Sequence, residues 1–265
     1  MLVDSHCHLN YEGLSDDIQS VIERAGASGV EFLVCICTKL DDVPEIREIA
    51  ESYHNVAFTV GVHPHEASKE ASLNAQTIVD LSKHPKVVGI GETGLDFFYD
   101  NAPRDIQEIY FKAHIEASRE TQLPIIVHSR DADELMINII SEEQEKGRFP
   151  GVIHCFSSSL DVAEVAVEYG MAISLSGIIT FKKADKLREI VKQIPIENII
   201  IETDSPFLAP VPKRGKVNEP SFIVHTAEKA AEIFDLELSH FNKITTNNFY
   251  RYFDKAKNIK MTSTC

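Results

Sequence analysis

KVVGIGE, at residues 86–92, is a short apolar run that ends in a carboxylate, and the same figure recurs along the chain. PIIVH (124–128) ends in His128, GVIH (151–154) in His154, and NIIIETD (198–204) in Asp204. At the amino terminus LVD (2–4) leads into His6 and His8. Metal-binding side chains thus follow hydrophobic segments at the spacing of strand-plus-helix units. A parallel barrel carries the carboxyl ends of all its strands to one face, so residues as distant as His6 and Asp204 can meet there.

Working outward, eight apolar segments have strand character: 2–4, 31–37, 56–62, 87–91, 123–127, 151–153, 171–175 and 198–201. Amphipathic stretches fall between them, among them 15–28, 43–53, 104–121, 133–145, 160–169 and 183–193. Alternating strand and helix predicts an α/β protein with a parallel sheet, and eight strands predict a single (β/α)8 TIM barrel. One domain should span residues 1–257, with helical stretches at 220–234 and 239–252, and the polar segment 258–265 should be a flexible tail. An open doubly wound sheet would need a glycine-rich phosphate loop after an early strand, and neither GxGxxG nor GxxxxGK[ST] occurs. The longest irregular segment, 204–220, follows the last strand on the face where the ligands gather, which marks it as functional.

Composition narrows the class. With 265 residues, 43% of them hydrophobic, the chain can bury a large core without disulfides. Its five cysteines include no CxxC pair and fit a reducing compartment, and no segment is long and apolar enough to span a membrane. The expectation is a cytoplasmic protein with no obligatory protein partner. A net charge of −15 argues against nonspecific coating of nucleic acid, though a few phosphates can be gripped where bound cations reverse the local field.

The candidate chemistry follows from the donors. His6 and His8 sit two apart, so both imidazoles can project from one side of a strand, with Cys7 pointing away. Asp4 and Asn10 can orient the rings from behind. Glu92 follows two glycines, which implies close backbone approach, and its two oxygens can bridge two cations. One cation would take His6, His8 and Asp204, the other His128 and His154, with Glu92 joining them. Mixed nitrogen and oxygen donors suit Zn²⁺, Mn²⁺, Fe²⁺ or Ni²⁺, and Mg²⁺ less naturally. Paired metals roughly 3.5–4 Å apart serve the hydrolysis of phosphate esters and amides. Asp204 can also accept a proton from water, making Asp204 and Glu92 the candidate catalytic carboxylates. His54, His84, His114, His225 and His240 carry no such signal and are expected on the surface or at caps.

The chain resembles the TatD family of metal-dependent deoxyribonucleases, among the amidohydrolase-like barrels. DSHCHLN (4–10), GVHPH (61–65), GETGLDFFY (91–99), HSRDA (128–132), HCFSSS (154–159), IETDSPFLAP (201–210) and RGKVNEP (214–220) carry the likeness over nearly the whole length. The resemblance implies a TIM barrel, two divalent metal ions and hydrolysis of DNA, with single strands or 3′ ends as substrate. Its ligand roles fall on His6, His8, Glu92, His128, His154 and Asp204. The HxH pair that some members lack is kept, and the fourth strand ends in Glu92 rather than in the lysine that other amidohydrolases carboxylate. His63, His65 and Arg130 are candidates for phosphate contact, Arg130 through its bidentate fork or else paired with Asp131 or Asp133. Lys182, Lys183, Lys213 and Arg214 can draw a DNA backbone, and Phe97, Phe98 and Tyr99 can stack on bases. The same cluster would equally serve another ester or amide, such as a D-aminoacyl-tRNA or a small phosphate ester.

Overall fold

The computed structural model describes residues 1–70, 73–99 and 101–262. Eight parallel strands lie in sequential order: β1 (Leu2–Cys7), β2 (Val30–Cys35), β3 (Val56–Val60), β4 (Val87–Asp96), β5 (Ile125–Arg130), β6 (Gly151–Ile153), β7 (Ala172–Leu175) and β8 (Ile199–Ile201). The helices between them are α1 (Ile18–Ala27), α2 (Val43–Ser52), α3 (Ala75–Ser82), α4 (Arg104–Thr121), α5 (Asp133–Lys146), α6 (Leu160–Glu168) and α7 (Asp185–Val191). Three more follow β8: α8 (Ile223–Ile233), α9 (Leu238–Tyr252) and α10 (Asp254–Thr262). This is a (β/α)8 TIM barrel, not an open doubly wound sheet. Periodicity named no helix between β3 and β4; the signal for α3 was local, since Asn74 caps it by accepting from the Thr77 N–H at 3.0 Å.

Strands β1 and β8 close the circle through loop and side-chain contacts. Cys7 bridges Ser205 in parallel, the His8 N–H donates to Ser205 O at 2.7 Å, and Ser5 Oγ donates to Ile201 O at 3.0 Å. All eight strands send a residue to one apolar cluster: Val3, Val34, Ala57, Val88, Ile126, Val152, Ala172 and Ile200. Phe249 of α9 and Phe253 after it belong to the same cluster and seal the end where the strands begin. Each buried branched side chain contributes about 1.5–3 kcal/mol over exposure, which offsets the cost of packing ionisable groups at the other end.

The segment expected as a tail from 258 onward overlaps the end of α10. Residues up to Thr262 continue α10, because Ile259 supplies an apolar anchor against that cluster. Residues 263–265 lie outside the described set.

Candidate metal centre

Strand β4 runs five residues beyond the end expected at Gly91, so Glu92 lies inside a strand rather than after it. The glycines make this possible. A Cβ on Gly61 would lie 2.4 Å from Gly91 Cα, and one on Gly94 (φ +137°) would lie 2.0 Å from His128 O. Only glycine tolerates such approach, and it lets β3, β4 and β5 press together around the carboxylate.

Glu92 is buried and two-sided. Its Oε2 lies 3.4 Å from His6 Nε2. Its Oε1 lies 2.7 Å from His154 Nε2, 3.1 Å from His128 Nδ1 and 3.5 Å from His63 Nε2. On the first side His6 Nε2 and His8 Nε2 are 3.3 Å apart, and Asp204 Oδ1 sits 3.6 and 3.4 Å from them. The structure therefore brings all six expected ligands together, three on one side of Glu92 and two on the other. Asp204 holds a left-handed backbone (φ 57°), an uncommon state for a residue with a Cβ, and its N–H donates to His6 O at 2.9 Å. Cys7 points away, its thiol donating to Val34 O.

Two carboxylates that the sequence reading missed complete the site. Asp96 Oδ2 lies 3.0 Å from His128 Nε2 and 2.9 Å from His65 Nε2. Glu202 Oε1 lies 3.2 Å from His154 Nδ1 and accepts the Cys155 N–H at 2.8 Å. Spacing held the clue to both. Glu202 directly follows β8, at the end where the other donors gather, and Asp96 is four residues from Glu92 within β4, a same-face interval of a strand. Ending β4 at Gly91 hid Asp96 in an assumed loop.

Other expectations shift. Asp4 does not orient the imidazoles; it accepts from the Thr203 N–H (2.9 Å) and hydroxyl (2.6 Å), tying β1 to the end of β8. Among the described residues, Asn10 Oδ1 is buried without a partner, as are Nδ1 of His6 and of His8. His114 is not on the surface but fully buried in α4, where Nε2 accepts the Val62 N–H at 2.9 Å, beside His63. Its interior position on a long amphipathic helix gave no hint of that bond.

A pocket of about 590 Å³ opens above the cluster, lined by His8, Tyr11, His63, His65, Glu92, Asp96, Tyr99, His128, Arg130, His154, Asp204 and Phe207 among others. His63, His65 and Arg130 all face it. Arg130 does not pair with Asp131 or Asp133 among the described residues; its guanidinium lies over the Phe98 and Tyr99 rings, 4.0 and 4.7 Å from their centroids. Phe98 and Tyr99 are more than half exposed, whereas Phe97 packs on the core under Arg104. Phe207, also 51% exposed, forms the opposite wall against His8 and Tyr11.

Electrostatics match the donor set. Burial opposes ionisation of Glu92, but His154, His63 and His128 outweigh it and hold the carboxyl well below its ordinary range. Asp204, partly buried, is held low by His8, His6 and His154 against the opposing effect of burial. Burial pushes the His63 imidazole well below its usual value, while Glu92 and Glu202 hold His154 well above its own despite burial. Among the described residues, three sets of donor atoms each lie mutually within 4.8 Å: His6, His8 and Glu92; His63, Glu92 and His128; His6, His154 and Glu202. Convergent imidazoles and carboxylates fit divalent cations. A cation held there would displace the proton that Glu92 and Glu202 favour on His154, because only neutral imidazole ligates.

Comparison with known proteins agrees. The family model described as TatD related DNase matches residues 3–254. An uncharacterized metal-dependent hydrolase of Bacillus subtilis, YabD, is 41% identical over 96% of this chain and 99% of its own. The 3′-5′ ssDNA/RNA exonuclease TatD of Escherichia fergusonii is 32% identical over 87% of this chain and 90% of its own. The crystal structure of YJJV, a TatD homolog from Escherichia coli, superposes with a TM-score of 0.86 at 26% identity, covering 96% of this chain and 98% of that one. No helix among the described residues is long and apolar enough to cross a membrane. With its barrel, its convergent imidazole and carboxylate cluster and its close relatives, the chain belongs to the TatD family of metal-dependent hydrolases.

Proposed function

We propose that this hydrolase is a deoxyribonuclease that cleaves phosphodiester bonds of DNA, with single strands and 3′ ends as preferred substrate. The observation that carries the reading is Glu92, whose two oxygens face two separate groups of imidazoles. His6, His8 and Asp204 would hold one divalent cation, His128 and His154 a second, and Glu92 would join them. Mn²⁺, Zn²⁺ and Ni²⁺ suit these donors, and Mg²⁺ less naturally. When bound, the metals supply water activation and neutralise phosphate charge. The chain's own residues do the rest. Asp204, held ionised by its imidazole neighbours, takes the proton of the attacking water. Arg130, His63 and His65 line the pocket mouth and orient the phosphate. Tyr99 and Phe207, on opposite walls, hold the flanking bases away from bulk water. The exonuclease named for the Escherichia fergusonii relative supports this substrate class. Unpaired thiols at Cys7, Cys35, Cys37 and Cys155 support the cytoplasm as its compartment.

The test is digestion of end-labelled single-stranded DNA with Mg²⁺ or Mn²⁺, which should shorten it from the 3′ end and stop with a chelator. No cleavage with any divalent metal, together with rapid deacylation of a charged tRNA, would sink the nuclease reading and leave the hydrolase.

A further inference from the structure

We propose that the groove beside the metal centre, between the segments that follow β6 and β7, carries the single strand onward from the scissile phosphate. This rests on the nuclease reading. A second cavity of about 370 Å³ adjoins the main pocket and shares Ser157 and Ile178 with it. Phe181 and Leu187 continue its apolar floor, and Lys183 and Lys186 stand on its rim.

Both lysines are exposed, and neither pairs with an acid among the described residues. Asp185 between them is taken by Arg188. Several other surface lysines lie against an acid one turn away, as Lys69 does with Glu66 and Lys83 with Asp80. The Arg214 guanidinium lies 4.0 Å from the centroid of the Phe181 ring and brings a third positive charge to the groove. A chain of net charge −15 therefore keeps uncompensated cations beside the pocket that must admit a polyanion. An apolar floor with a cationic rim suits single-stranded nucleic acid, whose bases lie on the floor while its phosphates follow the charges. A duplex turns its base faces inward and offers the floor nothing to cover it.

The test compares the Mn²⁺-loaded wild type with the double variant Lys183→Ala/Lys186→Ala on single-stranded oligodeoxynucleotides from dinucleotide to about ten nucleotides. Wild-type kcat/KM should rise with length. The variant should fall about tenfold behind on the longest strand, yet stay within about twofold on the dinucleotide, which is too short to reach the groove. Its salt dependence on the longest strand should be shallower by about 1.4 in log–log slope, about 0.7 for each lost phosphate contact. A variant that matches the wild type at every length overturns the groove and leaves the nuclease reading standing. So does an equal loss at every length, which would place the lysines' effect at the centre itself. If the wild type cleaves no strand of any length, both readings fall together.

Discussion

Asp96 Oδ2 lies 3.0 Å from His128 Nε2, behind the ring whose Nδ1 faces Glu92 Oε1 at 3.1 Å. A carboxylate there accepts the Nε2 proton, fixes the tautomer and leaves Nδ1 free for a cation. The Gln107 side chain, which accepts the Asp96 N–H at 2.8 Å, holds that part of the backbone in turn. Asp96→Asn keeps the shape but offers Nε2 a weaker acceptor. It should lower cation affinity or turnover by roughly 10–100-fold while leaving the thermal midpoint of the metal-free protein nearly unchanged. Calorimetric titration of Mn²⁺ into both proteins checks this; equal affinities and rates would remove Asp96 from the site.

Glu92 is expected to matter more. It serves both halves of the cluster, so Glu92→Ala disrupts two sites at once, leaving His154 without its nearest carboxylate and the His128 Nδ1 without the oxygen it faces. Turnover should fall below measurement and bound metal should drop, a larger effect than the roughly 10–100-fold of an outer partner. Elemental analysis of the purified variant beside a turnover assay decides it. Retained activity with full metal content would rule out the shared role.

Cation binding should also stabilise the fold. The donors come from β1, β4, β5 and the segments after β6 and β8, so a cation joins most of the circumference of the barrel. A ligand that binds only the folded state at 100 times its dissociation constant contributes about 2.7 kcal/mol. At roughly 2–4 °C per kcal/mol for a domain near this size, the thermal midpoint should rise by about 5–10 °C and fall back with a chelator. Scanning calorimetry with and without Mn²⁺ measures it, and a midpoint indifferent to both would argue that the cluster holds no cation.

Most of the barrel and the central donors were legible because they obey short-range rules. Apolar runs ending in His, Glu or Asp mark strand ends, and parallel topology gathers those ends on one face. What escaped depends on irregular backbone. β4 extends to Asp96 only because Gly91 and Gly94 adopt positive φ, at +136° and +137°, against β5. A reading that stops strands at glycine cannot anticipate this. Glu202 was overlooked beside the more conspicuous Asp204. The rim residues Arg130, Phe98 and Tyr99 owe their arrangement to stacking across a loop, which no linear pattern encodes.

His114 yields the remaining prediction because its proton is placed by two bonds. Its Nε2 accepts the Val62 N–H at 2.9 Å, so Nδ1 carries the hydrogen and donates it to Tyr110 O at 2.7 Å. Burial pushes its pKa down from 6.5 to about 4. The unfolded chain therefore binds this proton at a higher pH than the folded one. The stability it contributes is present above pH 6.5, is lost as pH falls from 6.5 toward 4, and changes no further below that. Between pH 7 and 5 the loss amounts to about 2 kcal/mol. His114→Gln can still accept the Val62 N–H but cannot be protonated. In chelator, urea unfolding of wild type and variant should differ by about 2 kcal/mol less at pH 5 than at pH 7, every other titrating group cancelling between them. Parallel pH profiles would show that the proton is not excluded there. Because Val62 precedes His63, a rise in KM for the variant at neutral pH would further tie this buried bond to the placement of the pocket histidine.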